Sequence, residues 1–255
     1  MMEIYYCVVM FILGSVLGSF YNVVGYRIPK GESIVFPSSH CTNCGHKLKA
    51  YELIPIFSFL FLGGKCSKCK QKISWFYTIF ETLTGILFLL CYIIFKNNVF
   101  DLIISLTFVS MIIIIFISDY HYLIIPDSVL IIFSILLLIE LSLKNGITNI
   151  YVPILNGILS FVCMYIIKLI GDFLFKKESM GGGDIKLLFV IGMVLGFPEA
   201  LFSIFIGSLV GLPIAFIILM KNKDHVIPFG PLLGIGAIVM LLTQFNVVNF
   251  INSLI

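Results

Sequence analysis

The sequence predicts an all-α polytopic membrane protein of about eight transmembrane helices, with a small cysteine-bearing domain inserted after the first helix. Three observations predict it. Hydrophobic residues make up 60% of the chain and charged residues 11%, against roughly 45–50% and about 25% in soluble domains. A soluble core of 255 residues needs a polar shell that this composition does not supply. The apolar residues fall in runs, most of them long enough to cross a hydrocarbon core, which takes about 20 residues of roughly 1.5 Å rise. Finally, the basic residues crowd into alternate loops.

The runs occupy residues 4–24, 76–95, 102–118, 123–143, 151–175, 185–197, 200–220 and 232–250. The first resembles a secretory signal in its position and its hydrophobicity. It lacks a basic leading segment and a small-residue cleavage site, so it is expected to stay as a span. The sixth is short and reads as a buried or tilted helix within a bundle.

Thirteen of the sixteen Lys and Arg residues lie in the stretches 27–75, 176–186 and 221–228. Basic residues are retained on the cytoplasmic side. Both termini are therefore expected outside and the large 27–75 loop in the cytoplasm, in a multi-pass protein of the cell inner membrane. The bilayer is its principal surroundings, and no nucleic-acid partner is expected.

Four of the seven cysteines form the pattern Cys41-x2-Cys44 and Cys66-x2-Cys69. Two such knuckles bring four soft thiolates into a tetrahedron, the arrangement of a closed structural zinc site. A reducing cytoplasmic loop is a poor place for disulfides, and a redox or unliganded thiol pair is the alternative. His40 and His46 adjoin the first knuckle as possible competitors, but four thiolates complete the shell. Lys47, Lys65, Lys68 and Lys70 flank the knuckles and would offset part of the thiolate charge, although a solvated loop has such residues anyway. Cys7, Cys91 and Cys163 lie in apolar runs and read as small buried hydrophobes. The resulting division is a first helix over 1–26, a cytoplasmic zinc-binding domain over 27–75 and a transmembrane domain over 76–255.

Carboxylates near spans are the informative ionisable groups, because an Asp at a helix centre costs about 2.5–3.5 kcal/mol even on lenient scales. Asp119 closes the third run, Asp127 follows Pro126, and Asp184 follows Gly181, Gly182 and Gly183. The charge pattern places all three at the cytoplasmic border. Two carboxylates close together in a poorly solvated site share one proton, which gives the acid and base of peptide hydrolysis. The glycines, lacking Cβ, would let an extended substrate approach. Each residue also has a plainer reading. Asp127 is expected as the N-cap of the fourth helix, Asp184 could cap the sixth, and Asp119 could be an exposed border residue. Glu81, in the first turns of the second run, could simply pair with a cation of the loop.

The motifs resemble the bacterial type IV prepilin peptidase family, over most of the chain and in order. They are Gly18-Ser19-Phe20-Tyr21-Asn22-Val23, Arg27-Ile28-Pro29, Pro37-Ser38-Ser39-His40-Cys41, Leu53-Ile54-Pro55, Gly64-Lys65-Cys66, Ile73-Ser74 and Glu81-Thr82-Leu83-Thr84-Gly85. They continue with Asp119, Ile125-Pro126-Asp127, Met180-Gly181-Gly182-Gly183-Asp184-Ile185-Lys186 and Ile227-Pro228-Phe229-Gly230-Pro231.

The resemblance implies an intramembrane aspartic peptidase of the Gly-x-Gly-Asp class with Asp119 and Asp184 as catalytic pair and Asp127 as a non-catalytic neighbour. It implies Cys41, Cys44, Cys66 and Cys69 as the cytoplasmic cysteine tetrad. It implies prepilins and pilin-like pseudopilins of pilus, secretion or competence systems as substrates, cut at a Gly–Phe bond. It also implies N-methylation of the new terminus with S-adenosylmethionine, for which no binding motif stands out. Two other readings remain: a peptidase without methylation, and a transporter coupling protons through membrane carboxylates. The border positions of the aspartates and the lack of an evident repeat weigh against the transporter.

Overall fold

The computed structural model describes residues 2–221 and 228–254. Its described regular structure is helical, with the cysteine loop largely irregular apart from two isolated bridges and short helical turns. The helices are α1 (Met2–Arg27), α2 (Phe57–Phe61), α3 (Trp75–Phe95), α4 (Val99–Tyr122), α5 (Asp127–Asn145), α6 (Tyr151–Phe175), α7 (Gly182–Leu195), α8 (Phe197–Lys221), α9 (Phe229–Thr243) and α10 (Val247–Leu254). Stretches within Met2–Lys30, Trp75–Phe95, Val99–Tyr122, Ile147–Phe175 and Phe197–Ile214 are long and apolar enough to cross a membrane, and Phe229–Thr243 is a shorter apolar helix. Each expected apolar run has a helix, and among the described residues five stretches meet the length and composition of a membrane span.

The chain divides into two compact units, residues 1–96 and 97–255. In the first, α1 packs along α3, so the second apolar run groups with the first helix. Small residues permit it. A Cβ on Gly14 would lie 2.7 Å from the Thr84 carbonyl oxygen, and one on Gly85 would lie 2.9 Å from the Phe11 carbonyl oxygen. Helices in lipid gain little from burying apolar surface and depend on such close backbone approach. Cys91 is fully buried as expected, whereas Cys7 and Cys163 are only partly buried.

In the second unit α4 and α7 form the core. Phe108, Met111, Ile117, Leu187, Leu188 and Ile191 are all fully buried, while α6 leaves Leu155, Ile158, Ile166 and Ile170 exposed. Apolar side chains facing outward are what a lipid-immersed helix presents. α4 runs one turn past the expected boundary. Leu123, at φ 55°, ends it, and the Leu123 N–H donates to the Asp119 carbonyl at 2.9 Å. Ile124 and Ile125 lie outside any helix and Pro126 is extended, which delays the next helix to Asp127.

The eighth run is also broken. Gln244 takes φ 50° after α9, and Asn246 then caps α10 by accepting the Asn249 N–H at 2.8 Å. Between α4 and α5 the Thr107 hydroxyl donates to the Glu140 carboxylate at 2.7 Å, a polar tie that apolar periodicity does not announce. Residues 222–227, which carry Lys223 and Ile227, lie outside the described residues.

Candidate active site and metal centre

The cysteine loop builds its site from two copies of one turn. In the first, the Cys41 N–H donates to the His46 carbonyl and the Gly45 N–H to the Cys41 carbonyl, both at 2.9 Å. In the second, the Cys66 N–H donates to the Gln71 carbonyl at 2.9 Å and the Lys70 N–H to the Cys66 carbonyl at 3.0 Å. Gly45 and Lys70 occupy the same left-handed position, at φ 66° and 58°. Each turn is held by an antiparallel bridge, His40 with Lys47 and Lys65 with Lys72.

All four Sγ atoms lie within 4.8 Å of one another. The Cys41–Cys69 and Cys44–Cys66 separations are 3.7 and 4.0 Å. A tetrahedral ion with metal–sulfur bonds of about 2.3 Å sets sulfur atoms about 3.8 Å apart, so the four thiols are placed to hold a metal ion. The Gln71 N–H, helped by the Asn43 amide, lowers the Cys69 thiol to about 6. Against the pull of the His46 N–H, desolvation and the neighbouring thiols push Cys44 up to about 11. A divalent cation held there would favour the thiolate form of all four cysteines.

Neither histidine joins the thiols. His40 contacts the Ser38 carbonyl, and His46 Nε2 meets Glu52 Oε2 at 3.2 Å. Glu52 escaped the sequence reading. Its side chain is 1% exposed and accepts the Lys49 N–H at 2.7 Å. That bond, with those of Ser67 and His46, holds the carboxyl below its ordinary range. Ser67 belongs to the second knuckle and His46 to the first, so Glu52 ties the two. Its position between the knuckles was the available signal. Glu81 does not pair with a cation among the described residues: its carboxylate accepts the Ile56 N–H at 2.8 Å.

In the second unit, Asp119 sits in the last turn of α4 and Asp184 in the first turn of α7, 5% and 8% exposed. They lie within electrostatic reach of each other. α7 begins at Gly182, two residues before the expected start, with Gly181 as N-cap. Asp184 at the third helical position reaches back to the Gly181 N–H, half of a capping box.

Ile125 fills the space beside both aspartates. A Cβ on Gly183 would meet its Cβ at 2.9 Å, and one on Gly230 would meet its Cδ1 at 3.1 Å. Gly183 is thus small to admit Ile125, while the Cβ position of Gly182 faces open space. Gly230, at the start of α9, donates its N–H to Asp119 Oδ2 at 3.1 Å.

Asp127 is not the cap expected of it. Pro126 holds the N-cap position without a side-chain bond, and Asp127 begins the helix proper with its carboxylate 2.7 and 2.9 Å from Lys186 Nζ. A lysine two positions after Asp184 outcompetes the helix's own N–H groups for that carboxylate. An apolar groove of about 600 Å³ lies below this pair, between α5, α6 and α7.

A helical bundle with buried aspartates at helix ends and a separate four-thiol loop defines a class of multi-pass membrane proteins with two chemical centres. The model of the bacterial peptidase A24 N-terminal domain matches residues 12–95, and that of the type IV leader peptidase family matches residues 106–216. The chain is 36% identical to the prepilin leader peptidase/N-methyltransferase of Bacillus subtilis (strain 168), over 95% of this chain and 96% of that one. It is 31% identical to the protein of that name from Neisseria gonorrhoeae, over 94% and 92% of the two chains, and 28% identical to one from Vibrio cholerae, over 94% and 97%. No solved structure matches. The chain belongs to the type IV leader peptidase family and is an enzyme.

Proposed function

We propose that this enzyme is an intramembrane aspartic endopeptidase that removes the short leader of type IV prepilins and related pseudopilins at a Gly–Phe bond, and then N-methylates the new terminus. The observation that carries the peptidase reading is the buried juxtaposition of Asp119 and Asp184 at the ends of two helices distant in sequence. The ionised carboxylate takes a proton from a lytic water as its oxygen attacks the scissile carbonyl. The neutral carboxyl donates to the carbonyl oxygen and, as the C–N bond breaks, a proton passes to the leaving amine. The open space beside Gly182 gives an extended chain room to pass over the start of α7.

The eight helices α1 and α3 to α9 all cross the membrane in this reading. Both termini face outward, and the cysteine loop and the aspartates lie at the cytoplasmic border, where a basic leader meets them. Cys41, Cys44, Cys66 and Cys69 hold a structural zinc ion, which supplies folding energy to the 27–75 loop rather than chemistry.

The methyl transfer rests on the names of the relatives and on the presence of the complete cysteine loop, with S-adenosylmethionine supplying the methyl group when bound. No residue is assigned to hold it. The buried carboxylates Glu52 and Glu81 each accept one backbone N–H, from Lys49 and Ile56 respectively. Incubating the purified enzyme with a prepilin and S-adenosylmethionine, then weighing the product, tests both activities. The expected product lacks its leader and gains one methyl group. A shortened product without the methyl leaves a peptidase alone, and an uncut substrate defeats the proposal.

A further inference from the structure

α9 opens without a cap of its own. Its N-cap is Pro228, which has no side-chain acceptor, and its third residue is Pro231, which has no N–H to offer. The first-turn N–H of Gly230 would be an orphan donor in a buried setting. Asp119 satisfies it across 111 residues of sequence, through a buried bond of 3.1 Å. The same residue leaves no room for a side chain. A Cβ on Gly230 would stand 2.7 Å from Asp119 Oδ2 and 3.3 Å from its Cγ.

We infer that Gly230 is a positioning residue for the catalytic pair: its N–H holds Asp119 by Oδ2, and its missing side chain makes the space in which that carboxylate lies. The inference rests on the peptidase reading above and adds a division of labour between the two oxygens. A backbone N–H cannot accept a proton. A carbonyl or carboxylate oxygen accepts such a bond better than a hydroxyl oxygen does, so the bond favours Oδ2 as the proton-free oxygen and Oδ1 as the one that carries any proton during turnover. The helix dipole at the start of α9 acts in the same sense, because its positive end faces the carboxylate. The segment Pro228-Phe229-Gly230-Pro231 thereby gains a purpose: the prolines remove rival caps and rival donors, and the glycine presents the one that remains.

A glycine one turn further along supplies the control. A Cβ on Gly234 would lie 2.8 Å from Ile112 Cγ2, again between α9 and α4, but away from the carboxylate. Leader cleavage is measured for purified wild type, Gly230→Ala, Gly234→Ala and Asp119→Asn, with kcat, KM, a pH–rate profile and thermal stability for each. A fifth protein carries glycolic acid in place of Gly230, which removes the N–H and adds no atoms.

Gly230→Ala is expected to lower kcat by about 10²-fold, the loss typical of a small misplacement of a reacting group, with KM little changed and the pH–rate profile displaced. The glycolic acid protein is expected to show the same displacement with a smaller loss. Gly234→Ala is expected to keep the wild-type profile. Wild-type kcat and profile in the glycolic acid protein would overturn the inference, whether or not Gly230→Ala folds. So would equal losses in Gly230→Ala and Gly234→Ala with neither profile displaced, since helix packing alone would then explain them. An active Asp119→Asn enzyme would instead defeat the peptidase reading itself.

Discussion

The two sites set the same electrostatic problem and meet it in opposite ways. Each gathers groups that repel one another when ionised: four thiols in the cysteine loop, two carboxyls between α4 and α7. The thiols are held by short-range backbone bonds, in a six-residue turn that occurs twice, and a cation would settle their charge. The carboxyls are held by helices from distant parts of the chain, and a shared proton would settle theirs. A metal makes a site rigid and closed, as a structural centre needs. A mobile proton leaves a site able to pass charge to water and substrate, as hydrolysis needs.

Breaking the first site should show how far it stands alone. Replacing Cys41 and Cys69 with Ser is expected to remove all bound zinc and the ordered structure of the loop while leader cleavage continues, as read by metal analysis, proteolysis of the 27–75 loop and the cleavage assay. Full zinc content in that variant would contradict the tetrad. Glu52→Gln should have a smaller effect, lowering the stability of the loop at neutral pH. The Glu52 carboxyl is held below its ordinary value of 4.5 by the Lys49 N–H and its other partners. Its contribution is present above that value and is lost as pH falls through the lower folded value. Melting curves of the two proteins should therefore converge in acid, and a gap that widened there would contradict this role.

Lys70→Gly sharpens the comparison between the two knuckles. Lys70 bears the left-handed geometry that Gly45 adopts freely, so the change should stabilise the loop by about 1 kcal/mol or less, the strain relieved being partly offset by a freer unfolded chain. Destabilisation in a thermal melt would mean that the Lys70 side chain has a use of its own. The smallest effect belongs to Asp127→Asn. Its partner Lys186 is 51% exposed and Asp127 itself 59%, so the loss should be within about 0.2–1 kcal/mol. A larger drop in melting temperature would make this pair a structural clamp.

The contrast also explains what the sequence could disclose. The Cys41-x2-Cys44 and Cys66-x2-Cys69 spacing is local, so residue order alone carries most of its geometry. The helices were legible as apolar runs, but their ends depended on single backbone conformations. Leu123 and Gln244 in left-handed geometry moved one boundary and split another run. Asp127 looked like a cap because capping is the local option for a carboxylate after proline, and only the packing of α5 on α7 brings Lys186 within reach. Glu52, the Gly230–Asp119 bond and the Thr107–Glu140 bond were missed for the same reason. Each is defined by a partner that the fold supplies. The glycines before Asp184 were read as room for substrate, and Gly183 proves to be room for Ile125.

The aspartate pair is the centre of the account, and single-turnover cleavage by Asp119→Asn and Asp184→Asn tests it most directly. Each change preserves size and removes the ability to exchange a proton. Both purified proteins should melt near wild type and cleave a prepilin leader at least about 10³-fold more slowly, the scale of lost acid–base catalysis. A folded variant of either kind that removes the leader at the wild-type rate would contradict the account.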